Sequence, residues 1–293
     1  LKNAFTVDVE DGVSIAMRDV FDTTITQTDR VVLYTEKVLE LLEKYKTHAT
    51  FFTLGQVAEV FPQLVRKIAK EGHELAVHGY NHLLFDQMTP KKAQQELTNA
   101  KKKLEDISGQ NVVGHRAPAF SISPKTSWAF DVIAECGFTY DSSIMPIKSR
   151  RYGWPDFPQD LTKIQTPSGN SLIEIPISVT SLFRAKFPFS GGSYLRLFPF
   201  RFIRKAYRNT LKKRPVILYI HPYELDCSRY PQSYFREMNK QPLLTQLKMR
   251  SNWIGRKRMP YRLASLLAEF QFGRMDDIIK ETEITGNFRI SNS

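Results

Sequence analysis

His78 and His82 stand four residues apart at the end of a short apolar run, Leu75-Ala76-Val77, with Asn81 beside the second histidine. Two imidazoles at that spacing reach one point where the chain turns helically just past a strand. Neutral imidazole is the commonest side-chain ligand of a divalent metal, so the pair reads as part of a metal site. Two hydrogen-bonded histidines at a strand end fit the same spacing, and the short pattern alone does not separate the two. Other chemistry-bearing residues recur at the ends of apolar runs. Ala4-Phe5-Thr6-Val7-Asp8-Val9 is followed by Glu10, Asp11 and Gly12. Val112-Val113-Gly114-His115 runs into Arg116-Ala117-Pro118. Phe138-Thr139-Tyr140 runs into Asp141-Ser142-Ser143, and Pro215–Ile220 into His221-Pro222-Tyr223-Glu224. Carboxylates at such places are costly to desolvate unless something cationic meets them.

The elements that position these residues alternate. Thr28 or Asp29 can cap a helix to about Tyr45. Ala49–Leu54 reads as a strand, and Pro62 opens a helix that Gly72 ends. Thr89 and Pro90 start a long helix to Ile107, and a further helix is expected over 126–136. Short apolar strands alternating with amphipathic helices predict an α/β domain with a parallel sheet, open or closed into a barrel. In both forms active sites lie at the carboxyl ends of the strands. Residues 149–199 carry many turn signals around a strand at 172–177 and read as decoration, not a second domain. A basic helix follows, with Arg201, Arg204, Lys205, Arg208, Lys212, Lys213 and Arg214. Residues 251–260 read as a loop, 261–270 as a closing helix, and 285–293 as a disordered tail. The expected organisation is one domain over 1–225, with 226–293 as a C-terminal extension packed on it.

The chain has 293 residues and a net charge of +12. That charge favours an acidic partner: an anionic glycan, a phosphorylated carrier or an acidic membrane face touched through 201–214. No helix-turn-helix, zinc finger, RNP motif or arginine-rich tail points to nucleic acid. Cys136 and Cys227 lack metal or redox spacing and are expected to be reduced. No apolar run is long enough to cross a membrane and no signal peptide opens the chain. The expected location is cytoplasmic, at a membrane periphery through the basic helix, or secreted if a leader was trimmed before Leu1. Oligomeric state is not readable.

Assembled in order, these stretches resemble the polysaccharide deacetylases (the NodB-homology superfamily, carbohydrate esterase family 4) over about Phe5 to Glu224. Thr6-Val7-Asp8-Val9-Glu10-Asp11-Gly12 resembles the family's Thr-Phe-Asp-Asp-Gly, and His78-Gly79-Tyr80-Asn81-His82 its metal-binding motif. Arg116-Ala117-Pro118, Tyr140-Asp141-Ser142-Ser143 and Tyr219-Ile220-His221-Pro222 resemble the later motifs. The branch it looks most like contains deacetylases of exopolysaccharide synthesis and peptidoglycan-deacetylase or allantoinase-like relatives.

The resemblance implies a distorted (β/α) barrel with loop and C-terminal helical decorations. It implies a hydrolase that removes N-acetyl groups from an amino sugar of a polysaccharide or its lipid-linked precursor. One divalent ion, Zn²⁺ foremost with Co²⁺ an alternative, would be held by Asp11, His78 and His82 and would activate a water. Asp8 is then the base, His221 the acid, Arg116 the cation that holds Asp8, and Asp141 the group that orients His221. Pro118, Tyr140 and Tyr223 are the expected substrate contacts. The family's adjacent aspartates are split here by Val9 and Glu10. Glu10, on the same strand face as Asp8, is therefore the rival to Asp11 as ligand. Two other readings stay open: hydrolysis of another C–N amide, and a glycan-binding protein that has lost the chemistry.

Overall fold

The computed structural model describes residues 1–149, 153–182 and 185–290. Its first strand shows why the chain closes around an interior. Strand β1 (Asn3–Val9) is buried along its whole length. Its odd positions Phe5, Val7 and Val9 pack in the cluster between sheet and helices. Ala4 joins a separate cluster with Phe52, Ala76, Tyr140 and Tyr219, inside the barrel. Successive strand residues point to opposite faces, so Thr6 and Asp8 point inward with Ala4.

The first half then alternates: α1 (Gly12–Phe21), α2 (Arg30–Lys44), β2 (Thr50–Thr53), α3 (Gly55–Val60), α4 (Pro62–Lys70), β3 (Glu74–Val77), α5 (Pro90–Ser108), β4 (Gly114–His115), α6 (Ala129–Glu135) and β5 (Tyr140–Asp141). Decorations follow as β6 (Thr162–Gln165), β7 (Ser171–Glu174), β8 (Val179–Leu182), β9 (Ala185–Pro188), α7 (Gly192–Leu197) and α8 (Phe200–Leu211). The chain ends with β10 (Ile217–Ile220), α9 (Gln232–Asn239), α10 (Leu243–Ser251), α11 (Met259–Glu269), β11 (Phe272–Gly273), α12 (Met275–Glu281) and β12 (Gly286–Arg289).

The strands lie in the order β10-β1-β2-β3-β4-β5-β7-β6-β12, and β11 also pairs with β1. Pairs from β10 to β7 are parallel; β6 and β7 are antiparallel. Irregular chain fills the gap between β7 and β10. Ile175 and Ile177 donate backbone N–H groups to Asp141 and Ile144, while Tyr219 donates to Ser190. A bridge joins Gly191 to Tyr219. The barrel is therefore α/β and distorted, as the alternation and the resemblance imply.

Several local expectations change. The fourth strand shrinks to Gly114–His115, and the helix expected over 126–136 starts at Ala129. Residues 251–260 end α10, make a 3₁₀ turn at Arg256–Arg258 and begin α11. The tail expected to be disordered contributes β12, which pairs with β6. Residues 150–152, 183–184 and, within that expected tail, 291–293 lie outside the described residues.

His73 sits buried at the start of β3. Its Nδ1 accepts the Ala49 N–H at 3.1 Å, a bond that needs the bare nitrogen. Burial, then the positive charges of His48 and Arg274, pull its pKa down to about 4. Above the unfolded value of about 6.5 both states are neutral and this stabilisation is complete. As pH falls from there towards the folded value, the unfolded chain takes up a proton that the native ring refuses. Stability should drop by up to ~1.4 kcal/mol per pH unit from this group. Urea unfolding across that window should show the slope, and His73→Asn, which keeps an acceptor for Ala49, should flatten it. An unchanged slope in the variant would assign the acid sensitivity to other groups.

Candidate active site

Four strand ends bring five groups together. Asp8 is the last inward residue of β1, and Glu10 follows two residues on. His78 follows β3, Arg116 follows β4 and His221 follows β10. His78 and His82 do not share a helix. Gly79 (φ 78°) and His82 (φ 57°) are both left-handed, and this tight turn folds the second ring back. Glu96 of α5 fixes the turn by accepting the Asn81 backbone N–H at 2.9 Å and its side-chain amide at 2.7 Å.

Both imidazoles converge on one carboxylate oxygen. Glu10 Oε1 lies 2.8 Å from His78 Nε2 and 3.1 Å from His82 Nε2. The three donor atoms lie within 4.8 Å of one another and all three residues are buried. The backbone carbonyl of Arg116 sits 2.9 Å from His78 Nδ1. A carbonyl only accepts, so Nδ1 carries the proton and Nε2 turns a lone pair towards Glu10. Two lone pairs at that distance repel unless a cation stands between them or the ring takes a second proton. His82 Nδ1 lies 3.6 Å from Asp19 Oδ2 and 3.2 Å from Arg18 Nη2. A buried carboxylate with two imidazoles whose outer nitrogens face fixed partners is a donor set that fits a divalent metal.

Burial penalises the charge on Glu10, but His82 and His221, with the hydrogen bonds of His78 and His82, hold its pKa well below the ordinary range. Burial likewise opposes charge on His82. The Glu10 carboxylate and Asp19 outweigh it and raise His82 to about 9.

Asp11 is not in this group, which corrects its expected place as the carboxylate ligand. It is the N-cap of α1. Its Oδ1 accepts the Val13 N–H at 3.0 Å and its Oδ2 the Thr28 N–H at 2.5 Å. Burial raises its pKa, partly offset by those bonds. The physical reason is parity: Glu10 shares the inward face with Asp8, and the chain turns into a helix at Asp11.

Arg116 is fully buried beside Asp8, with Nη1 2.7 Å from Oδ1. Its other partners are Thr6 Oγ1 at 2.8 Å, Ser142 O at 3.0 Å and Ser142 Oγ at 3.0 Å, and its guanidinium lies 4.0 Å from the Phe52 ring centre. His221 Nε2 lies 3.9 Å from both Asp8 Oδ2 and Glu10 Oε2. Its ring stacks on Tyr223 at 4.8 Å. Burial disfavours its charge, but Glu10, Glu224 and Asp8 raise its pKa to about 9.

Asp141 does not reach His221, a second correction. It accepts from His115 Nδ1 at 2.6 Å and from Ser143 Oγ at 2.8 Å. Ser143 Oγ in turn accepts the Ala117 N–H at 2.8 Å, so Asp141 braces the turn after Arg116. The carboxylate beside His221 Nδ1 is Glu224, at 3.6 Å. Glu224 occupies space that only a glycine leaves: a Cβ on Gly192 would fall 1.5 Å from its Oε2. Tyr140 also leaves the list of substrate contacts. Its ring is buried at the opposite end of the barrel, where its hydroxyl donates to Glu74 at 2.8 Å. Pro118 packs against Gly79, and its neighbours Ala119 and Phe120 line the cavity in its place.

That cavity holds about 630 Å³. Asp8, Glu10, His78, His82 and His221 line it together with Tyr223. The far wall comes from the C-terminal segment, with Tyr230, Tyr234, Lys248, Asn252, Trp253 and Arg256. Sequence reasoning did not find this wall. Arg256 is buried there, held by the carbonyls of Asn252 at 2.7 Å and Asp226 at 2.9 Å, with its guanidinium 4.9 Å from the Trp253 ring centre. Tyrosine and tryptophan faces beside polar heads suit a sugar chain.

Residues 20–140 match the family model for polysaccharide deacetylases. Residues 142–280 match a model described as a domain of unknown function, DUF3473. Residues 20–140 therefore carry a polysaccharide deacetylase domain match. The peptidoglycan deacetylase of Helicobacter pylori is 32% identical over 109 residues, covering 37% of this chain and 36% of that protein. The chain spans well under half the length of the curated relatives it matches. Among solved structures, a Mycobacterium smegmatis protein assigned to the polysaccharide deacetylases superposes with a TM-score of 0.66 at 20% identity, covering 100% of this chain and 94% of that one. An allantoinase superposes with a TM-score of 0.59 at 15% identity, covering 95% and 89%. At such identities the likeness is one of fold. The barrel continues unbroken past the junction of the two family models, because β4, β5 and β7 pair across it.

Calorimetric titration with Zn²⁺ or Co²⁺ should give one site. Glu10→Gln or His78→Ala should weaken binding by about a hundredfold or more. Asp11→Ala should keep the affinity within a few-fold while costing about 1–2 kcal/mol of stability as a lost helix cap. Metal loss in a folded Asp11→Ala protein, with retention in Glu10→Gln, would return the ligand role to Asp11.

Proposed function

We propose that this chain is a metal-dependent hydrolase that removes N-acetyl groups from an amino sugar within a glycan. The observation that carries the reading is the convergence of Glu10, His78 and His82 beside an Arg-held aspartate, with His221 across the cavity floor. The names of relatives, peptidoglycan deacetylases among them, supply the substrate class.

Glu10, His78 and His82 would hold the ion. A divalent ion supplies Lewis acidity, lowering the pKa of water and polarising an amide carbonyl. The protein's own groups do the rest. Arg116 fixes the direction of Asp8, whose free oxygen faces the cavity and receives the proton of the attacking water. His221, steadied by its stack on Tyr223 and by Glu224, hands a proton to the departing nitrogen. The water adds to the carbonyl carbon, the C–N bond breaks, and acetate and a free amine leave. Tyr230, Trp253 and Tyr234 would face the sugar rings, with Lys248 and Arg256 suited to acidic groups along the chain.

Acetate release from N-acetylglucosamine oligomers and from peptidoglycan fragments, with Zn²⁺ or Co²⁺ added, tests the reading. Turnover is expected in the wild type. Asp8→Asn and His221→Gln should each lower kcat about 10²–10⁴-fold with glycan binding retained. A metal-loaded wild type that binds these glycans and releases no acetate would instead make the protein a glycan-binding member of the family.

A further inference from the structure

Helix α10 has one face inside the protein and another that nothing covers. It buries only Met249. Thr245, Lys248, Met249 and Asn252 line the catalytic cavity. Leu243 is 69% exposed, Leu244 81% and Leu247 55%, and Ile254 just beyond the helix is 58% exposed. These are four of the most exposed large apolar residues among those described, gathered in one short stretch.

At about 100° per residue, Leu243, Leu247 and Leu244 form a stripe roughly 100° wide. Arg250 borders the stripe on one side and Lys248 on the other. Arg236, Lys240, Lys257 and Arg258, in the segments before and after the helix, are also exposed. The one acid in 236–258 is Glu237, and Lys240 already pairs with it at 2.8 Å. The helix is only weakly amphipathic along its length, and what suits a bilayer interface is the exposed leucine stripe with long cationic side chains at its edges. The leucines enter the acyl boundary while lysine and arginine stems rise to the headgroups.

We infer that α10 docks this protein on a membrane surface bearing acidic phospholipids. The basic helix α8, to which the sequence assigned that role, is less suited. Its Arg204 and Arg208 both pair with Glu269, Arg214 just beyond it pairs with Asp160, and none of its large apolar side chains is exposed. Docking by α10 sets the cavity about one helix diameter, ~10 Å, above the bilayer plane. The inference holds whether or not the chain is a deacetylase.

Vesicle sedimentation tests it, comparing phosphatidylcholine alone with phosphatidylcholine containing about a third phosphatidylglycerol. The wild type should pellet with the acidic vesicles and much less with the neutral ones. Combining Leu243→Ser, Leu244→Ser and Leu247→Ser should weaken binding at least about tenfold with an unchanged melting temperature. Arg250→Glu or added salt should weaken it too. Arg201→Ser with Lys205→Ser on α8 should leave it within about twofold. A wild type that stays in solution beside acidic vesicles, or a triple variant that pellets as well as the wild type, would overturn the inference. So would light scattering that shows concentration-dependent self-association lost in the triple variant, with no vesicle binding by either. The stripe would then belong to a second copy.

Discussion

The buried guanidinium of Arg116 is the constraint on which the site depends. A charge taken out of water is stable only if its partners are well placed, and removing one partner typically costs about 3–5 kcal/mol. Arg116 gathers its partners from Thr6 and Asp8 of β1, Phe52 of β2 and Ser142 after β5. It thereby ties the middle of the barrel across its interior. The same residue gives its backbone carbonyl to His78 Nδ1. One position therefore orients the candidate base with its side chain and one candidate metal ligand with its main chain. Asp141, through Ser143 and Ala117, keeps that position in place.

Strand parity then selects the carboxylate that faces the imidazoles. With Thr6 and Asp8 turned inward to meet Arg116, the next inward position, just past the end of β1, is Glu10, which meets both rings. Asp11 has the opposite parity and lies where the strand gives way to α1. This much was legible in the sequence as a choice between Glu10 and Asp11, and a resemblance to adjacent aspartates tilted it the wrong way. A local signal for the right choice was present. Val13, Ala16, Met17, Val20 and Phe21 repeat at helical spacing directly after Asp11, which marks Asp11 as a cap. The strands were readable because each is a short apolar run closed by polar residues. Their ends were readable as a site because parallel α/β folds put function there.

What was not legible depends on packing between distant segments. His115 meets Asp141 because β4 and β5 pair in that register, and two-residue strands leave almost no pattern to read. Glu224 rather than Asp141 stands beside His221, since the His-Pro turn folds back within three residues and Gly192 leaves room. Tyr140 looked like a site residue from its neighbours, yet its ring points to the other end of the barrel. The cavity wall of Tyr230, Tyr234, Trp253 and Arg256 carries no motif. Only the return of the C-terminal segment over the strand ends makes it a wall.

That return runs through α1, so Asp11 has a structural task of its own. Val13, Ala16, Met17 and Phe21 of α1 form a small separate core with Tyr230, Tyr234, Met238 and Met249. The other side of the same helix carries Arg18 and Asp19, which reach His82 and the turn that holds it. One cap thus fixes the start of a helix that supports both a candidate metal ligand and the far wall of the cavity. The wall is tied most firmly at the C-terminal end of α10. There Arg196 donates to the carbonyls of Asn252 at 2.8 Å and Ile254 at 2.7 Å, and Arg256 is held by Asn252 and Asp226. At the opposite end of α10, Leu243 and Leu244 project into solvent. Between the two ends, Gln246 donates its side-chain amide to the carbonyls of Gln241 at 2.9 Å and Asn239 at 3.3 Å, which ties α10 to α9.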